Sequence, residues 1–210
     1  MTKLRHILVT GAAGFIGSNF VRIALENNYC VTGLDSLTYA GQRSTIDHLK
    51  RYDKFRFCHD DIGNKDLIAS VVSNGHQAEL CGVVNFAAET HVDRSIDGPL
   101  DFIETNINGT FNMLEAARTY WQTREKPEAF RFHHISTDEV FGSLPNKRSV
   151  KFTENTPYDP RSPYSASKAS SDHLVRAWYE TYGLPIVLSN CSNNYGPFHF
   201  PEKLIPTIIL

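Results

Sequence analysis

Short apolar, β-branched runs alternate along the chain with longer stretches whose apolar residues recur at helical spacing. The runs at 6–10, 30–34, 55–59, 83–86, 130–136 and 186–190 read as strands. The stretches at 14–28, 65–74, 99–120 and 164–182 read as the helices between them. Alternation of this kind packs as right-handed βαβ units, so the pattern predicts an α/β fold, doubly wound about a mostly parallel sheet. Ligands bind such sheets at the carboxyl ends of the strands, near the topological switch point. The irregular stretch 142–163, rich in Pro, Ser and Asn, has the length of a binding loop. The chain stops on the apolar run Pro206-Thr207-Ile208-Ile209-Leu210, which predicts a chain cut short within a second region. Its expected divisions are 1–190 for the sheet domain and 191–210 for an incomplete substrate-binding portion.

Composition narrows the class. Hydrophobic residues make up 41 % of the 210 and charged residues 21 %, ordinary for a globular chain with a sizeable core. A net charge of −2 with scattered Lys and Arg gives no electrostatic case for nucleic acid or an anionic membrane. No segment has the length and apolarity of a membrane span, and the N-terminus lacks a signal-peptide pattern. Cys30, Cys58, Cys81 and Cys191 form no CxxC pair, so reduced thiols in a cytoplasmic protein are expected.

Gly11-Ala12-Ala13-Gly14-Phe15-Ile16-Gly17 follows the first strand and opens the first helix. In that context the spacing is a dinucleotide fingerprint of the Rossmann fold. Gly11 permits the tight turn, Gly14 lets backbone approach a pyrophosphate, and Gly17 lets helix and strand pack closely. The helix N-terminus offers amides and a positive dipole end to the phosphates. Asp35 ends the second strand, 24 residues after Gly11. A carboxylate there accepts from ribose hydroxyls and repels a 2′-phosphate, which favours NAD over NADP; it would also serve simply to cap a turn.

Tyr164 and Lys168 form a YxxxK pair one helical turn apart. An ammonium nearby would lower the phenol toward a useful general base. Ser136-Thr137, at the end of the fifth strand, completes the hydride-transfer triad. Asp138-Glu139 follows at once, and two carboxyls beside a Tyr–Lys pair suggest a second reaction with its own acid and base.

The segments Ala87-Ala88-Glu89-Thr90-His91-Val92-Asp93-Arg94-Ser95 and His134-Ile135-Ser136-Thr137-Asp138-Glu139-Val140-Phe141-Gly142 resemble the nucleotide-sugar 4,6-dehydratases of the extended short-chain dehydrogenase/reductase family. So do Ser162-Pro163-Tyr164-Ser165-Ala166-Ser167-Lys168, Cys191-Ser192-Asn193-Asn194-Tyr195-Gly196-Pro197 and Phe200-Pro201-Glu202-Lys203-Leu204-Ile205-Pro206. The resemblance covers nearly the whole chain. It departs at Phe141, where the family usually has Tyr, and in lacking the family's further C-terminal portion.

What the resemblance implies is a hydro-lyase acting on dTDP-glucose in deoxysugar biosynthesis, by C4 oxidation, loss of water across C5 and C6, and hydride return. Tyr164, with Lys168 and Thr137, would take the C4 hydroxyl proton, Glu139 the C5 proton, and Asp138 would protonate the leaving C6 hydroxyl. By position, Phe15, Ile16, Asp35, Ser36, Leu37, Thr38, Asp61, Ile62, Phe86, Ala87, Ala88, Thr105 and Asn194 would contact NAD, with Tyr164 and Lys168. Thr90, Thr137, Asn193, Lys203, Leu204 and Ile205 would face the nucleotide sugar. Helices 99–120 and 164–182 would pair two subunits as a homodimer. Metal is not expected: His133-His134 are strand neighbours facing opposite ways, without HxH or HExxH spacing. The rival readings are a nucleotide-sugar epimerase or decarboxylase of this fold, which needs no acid–base pair at C5 and C6, and an inactive NAD-binding fragment.

Overall fold

The computed structural model describes residues 4–74, 78–145, 150–201 and 204–210. Six strands, β1 (His6–Thr10), β2 (Cys30–Asp35), β3 (Phe55–His59), β4 (Leu80–Asn85), β5 (Arg131–Thr137) and β6 (Ile186–Cys191), form one sheet. All are parallel and lie in the order β3-β2-β1-β4-β5-β6. This is the doubly wound Rossmann order, with its switch point between β1 and β4. Every residue of β1 is buried, as a central strand covered on both faces requires.

Alternate side chains feed two cores. Ile7, Val9 and Val31 pack under α1 (Phe15–Glu26) and α2 (Arg43–Leu49). Leu8, Leu34, Val83 and Phe132 pack under α3 (Lys65–Asn74) and two later helices. Those are α6 (Thr110–Thr123) and α7 (Pro163–Tyr182). Trp121 lies in this second core and Trp178 against it.

The expected helix over 99–120 is not a regular rod. Before α6 run the short helices α4 (Val92–Asp97) and α5 (Pro99–Phe102), then a π-helical segment, Ile103–Gly109. At its end the backbone meets Ile62 so closely that a Cβ on Gly109 would fall 2.5 Å from Ile62 Cδ1. Asn106, in the same widened turn, is buried and polar, a requirement that hydrophobic periodicity does not register. Helices α2 and α4 are likewise too short to show in the period. The stretch from Gly142 to Ser162 carries no helix or strand among its described residues, and α8 (Leu204–Ile209) follows the last loop.

Candidate active site

A cavity of about 570 Å3 opens along the carboxyl ends of the strands. Its floor is the glycine turn. Gly11 has φ +65, and a Cβ there would lie 2.9 Å from the Ala87 amide nitrogen. A Cβ on Gly17 would lie 2.1 Å from the Gly11 carbonyl oxygen. Gly14 is different: its Cβ would touch only Gly11 O, at 3.4 Å, so its missing side chain leaves room on the cavity side rather than in the packing. As N-cap of α1 without a side-chain bond, it leaves the first-turn amides facing that space.

Asp35 both caps the turn and lines the cavity. Its Oδ2 accepts from Ala13 N and its Oδ1 from Leu37 N, each at 2.8 Å. Burial pushes its carboxyl above the ordinary value, and those two amides oppose the shift. Each oxygen keeps a second lone pair for a ligand hydroxyl. Leu37 itself turns away: its side chain packs on the α1–α2 core, and it contributes only its amide.

The other expected contacts converge. Phe15, Ile16, Ser36, Thr38, Asp61, Ile62, Phe86, Ala87, Ala88, Thr105 and Asn194 line the cavity with the three glycines. Thr90, Thr137, Asp138, Glu139, Tyr164, Lys168, Asn193 and Ile205 line it too. Lys203 lies outside the described residues, as does the side chain of Leu204. His199 also lines it and stacks on Phe15, ring centroids 4.3 Å apart.

Local chemistry explains the reactive end. Ser162 caps α7 by accepting from Ser165 N at 3.0 Å, while Ser165 Oγ accepts from Ser162 N at 2.9 Å. With Pro163 in the first turn, this capping box sets the helix start and the facing of Tyr164 and Lys168. Thr137 ends β5, accepts from Glu139 N at 3.2 Å, and has its side chain within reach of the Tyr164 phenol. Phe141 needs no hydroxyl here: its ring packs on Phe152 and Tyr158.

The expected lowering of the tyrosine does not hold in this geometry. Burial pushes the Tyr164 phenol up to about 12; Thr137 opposes this, and Glu139 and Asp138 add to it. Lys168 is committed elsewhere, donating to Ile135 O at 2.8 Å. Burial in turn brings the Lys168 ammonium down to about 8, against the opposing pull of Asp172 and Cys191.

Several residues that hold this site have no motif. Asn106 donates to Glu89 O at 3.0 Å and to Ser167 Oγ at 2.8 Å, and accepts from Glu89 N at 2.9 Å. It thereby ties the segment after β4 to α7. Asp172 is fully buried and accepts from Ser136 Oγ at 2.7 Å and Tyr158 OH at 2.9 Å. The one sequence signal for Asp172 is its position a turn beyond Lys168 on the same helix face.

The family model described as GDP-mannose 4,6 dehydratase matches residues 8–210. The chain belongs to this dehydratase family. Within it, dTDP-glucose 4,6-dehydratase of Escherichia coli is 55 % identical over 214 residues, covering 97 % of this chain and 58 % of the relative. The protein of that name from Neisseria meningitidis serogroup B is 55 % identical over 210 residues, covering 99 % of this chain and 58 % of the relative. The chain thus spans 58 % of the length of these curated relatives. The crystal structure of DesIV, a dTDP-glucose 4,6-dehydratase from Streptomyces venezuelae with NAD and TYD bound, superposes with a TM-score of 0.84 at 44 % identity. That match covers 97 % of this chain and 61 % of DesIV. A UDP-glucose 4-epimerase of Thermus thermophilus in complex with NAD superposes almost as well, with a TM-score of 0.80 at 30 % identity over 93 % of this chain and 58 % of the epimerase. The dehydratase family therefore shares its fold with epimerases, and backbone likeness does not separate the two chemistries. Among the described residues no group of three or more His, Cys, Asp or Glu could hold a metal ion, and no helix is long and apolar enough to cross a membrane.

Proposed function

We propose that this chain carries the NAD site and the reacting residues of a dTDP-glucose 4,6-dehydratase. The observation that carries the proposal is a single cavity lined by Thr137, Asp138, Glu139, Tyr164 and Lys168 together with the glycine turn. An epimerase has use for the Tyr–Lys pair but none for the two added carboxyls. NAD rather than NADP is favoured by Asp35, whose charge stands at the end of β2.

The glycine cradle and Asp35 fit a dinucleotide: Gly14 leaves space on the cavity side, and the α1 amides face it. Bound NAD would supply the hydride acceptor and donor, and a cationic ring that lowers the proton affinity of a nearby phenol. Tyr164 then takes the proton from the sugar C4 hydroxyl, with Thr137 holding the phenol oxygen. The C4 ketone acidifies C5, Glu139 takes the C5 proton, and Asp138 gives a proton to the C6 hydroxyl as it leaves. Thr90, Asn193 and Ile205 line the sugar side, and Lys203 and Leu204 belong to the same proposed surface. Residues 1–190 form the NAD-binding part of this reading and 191–210 begin the part that holds the nucleotide sugar.

The reading extends to a cytoplasmic homodimer. Leu100, Ile103 and Phe111 on one helical stretch, and Tyr179 and Tyr182 on α7, are exposed. A face of that kind suits pairing with a second copy.

The test is mass spectrometry of dTDP-glucose incubated with the chain and NAD. Loss of one water from the sugar nucleotide supports the proposal. A 4-epimer of unchanged mass, read by chromatography, overturns it in favour of epimerisation. With neither, turnover only in a chain extended by a C-terminal portion like the relatives' assigns the missing affinity to that portion. No turnover in either chain rejects the substrate.

A further inference from the structure

Behind the cavity wall lies a buried polar chain that the proposed reaction does not use, and its hydrogen-bond directions can be worked out. The Thr10 hydroxyl accepts from Ala87 N at 3.1 Å, so its own proton goes to Asn85 Oδ1 at 2.6 Å. That sets the amide: Asn85 Nδ2 donates to His134 Nδ1 at 3.2 Å. The ring proton of neutral His134 is therefore on Nε2. Ser171 agrees independently, since its hydroxyl donates to Lys168 O at 2.8 Å and so accepts from His134 Nε2 at 3.1 Å.

Two consequences follow for the groups around that nitrogen. Lys168 Nζ lies 3.4 Å from Nε2, and Asp172 Oδ1 lies 3.5 Å from the same nitrogen. Nε2 spends its proton on Ser171, and the fully buried Asp172 Oδ1 is left without a hydrogen-bond partner among the described residues. Among the described residues the donors to this carboxylate, Ser136, Tyr158 and, at 3.5 Å, Asn190, gather on Oδ2. A carboxylate left bare on one side in an interior is costly unless a cation faces it. The cation within range is Lys168, one turn back on α7, itself 3 % exposed.

We infer that Asp172 is the positioning residue for Lys168, a buried counter-charge that, gathered with it at His134 Nε2, keeps the ammonium charged and aimed at the cavity. Burial favours loss of the Lys168 proton, and the Asp172 charge opposes this. The other titratable groups that face the pair among the described residues are His134 on β5, Cys191 on β6, Tyr158 from the loop before α7 and Tyr164 on α7 itself, whose phenol the Asp172 charge pushes up. His134 is held neutral by burial and by the Lys168 charge itself, so it cancels neither charge. Ser136 and Asn190 bind the same carboxylate, and Asn190 also donates to Thr137 O at 3.2 Å. Asp172 thus ties the Lys168 helix to the strand end that carries Thr137, Asp138 and Glu139.

The effect on NAD rests on the proposed function; the pair itself does not. The experiment is NMR titration of the Lys168 side-chain nitrogen in the full chain without cofactor, for wild type and Asp172→Asn. The midpoint should fall from about 8 in the wild type. A drop of about one pH unit or more, a tenfold loss of proton affinity, is expected. An unchanged midpoint in a folded variant overturns the inference. Should Asp172→Asn fail to fold, the wild type still decides: the Asp172 carboxylate 13C signal must shift at the Lys168 midpoint, and a signal blind to that step overturns the pair. NAD affinity adds a separate reading. Its loss in the variant should grow as pH rises from about 6 to 8 as Lys168 discharges, whereas a merely structural role weakens binding equally at every pH. Titrations as expected with no NAD binding in either chain would sink the cofactor reading alone.

Discussion

Gly17 stands directly beneath the carbonyl of Gly11: a Cβ on Gly17 would come within 2.1 Å of that oxygen. Neither atom can retreat, because Gly11 is pinned between β1 and Ala87 and Gly17 lies in the first turn of α1. Gly17→Ala should therefore destabilise the chain by roughly 3 kcal/mol or more, the upper range of overpacking, despite alanine's better helix propensity. Gly14→Ala meets only a 3.4 Å contact and should leave unfolding nearly unchanged. It should instead weaken NAD, since its methyl projects on the cavity side. Denaturant unfolding and NAD titration of both variants check this. Equal loss of stability would show that the two glycines have one role.

The reacting residues separate by what each variant still does. Tyr164→Phe should lose bound-NAD reduction by about 10²–10⁴-fold, the usual size of a general-base contribution. Glu139→Gln should still reduce NAD on adding dTDP-glucose but release no water. Absorbance of reduced nicotinamide and product mass, followed together, distinguish the two. NAD reduction lost outright in Glu139→Gln would exchange the roles assigned here.

Asn106→Leu should cost about 1–3 kcal/mol, because it removes the hydrogen bonds of a buried amide to the Glu89 amide and carbonyl and to Ser167. It should also loosen the segment of Ala87, Ala88 and Thr90 that lines the cavity, raising hydrogen exchange there first. Exchange that rises evenly over the molecule would mean Asn106 has no particular hold on that segment.

Stability should fall as pH drops below the ordinary histidine value of 6.5. Burial holds His134 well below that value and His133 below it, so the unfolded chain binds more protons in this window. At more acid pH the sign reverses in part, because Asp35 and Asp172 are raised and take up protons in the folded chain first. On the alkaline side Lys168, at about 8 when folded and 10.5 when free, makes stability rise with pH between those values. Tyr158 and Tyr164, pushed up to about 12 from 10, reverse that gain above 10. Denaturant midpoints between about pH 5.5 and 7.5 should show a slope in wild type that flattens in His134→Gln. A slope unchanged by that substitution would assign the acid limb to other groups.

The backbone of this protein was legible in its amino-acid order because the information is local. Apolar β-branched runs place the six strands within three residues, β1 and β3 at their bounds, and helical spacing places α1, α3 and α7 within two, while the helix expected from residue 99 becomes a regular α-helix only at Thr110. The glycine turn, Asp35 and the Tyr164–Lys168 pair were legible for a related reason: their spacing is itself the chemistry. What order along the chain does not carry is contact between residues far apart in it. Asn106 meets Ser167 across 61 residues, His134 meets Ser171 across 37, and Ser136 meets Asp172 across 36. Only the folded packing brings those polar groups together out of water, and burial there sets their charges. It is also why Tyr164 is raised where the neighbouring lysine alone would lower it: desolvation depends on everything packed around a group, while sequence names only what lies a turn away.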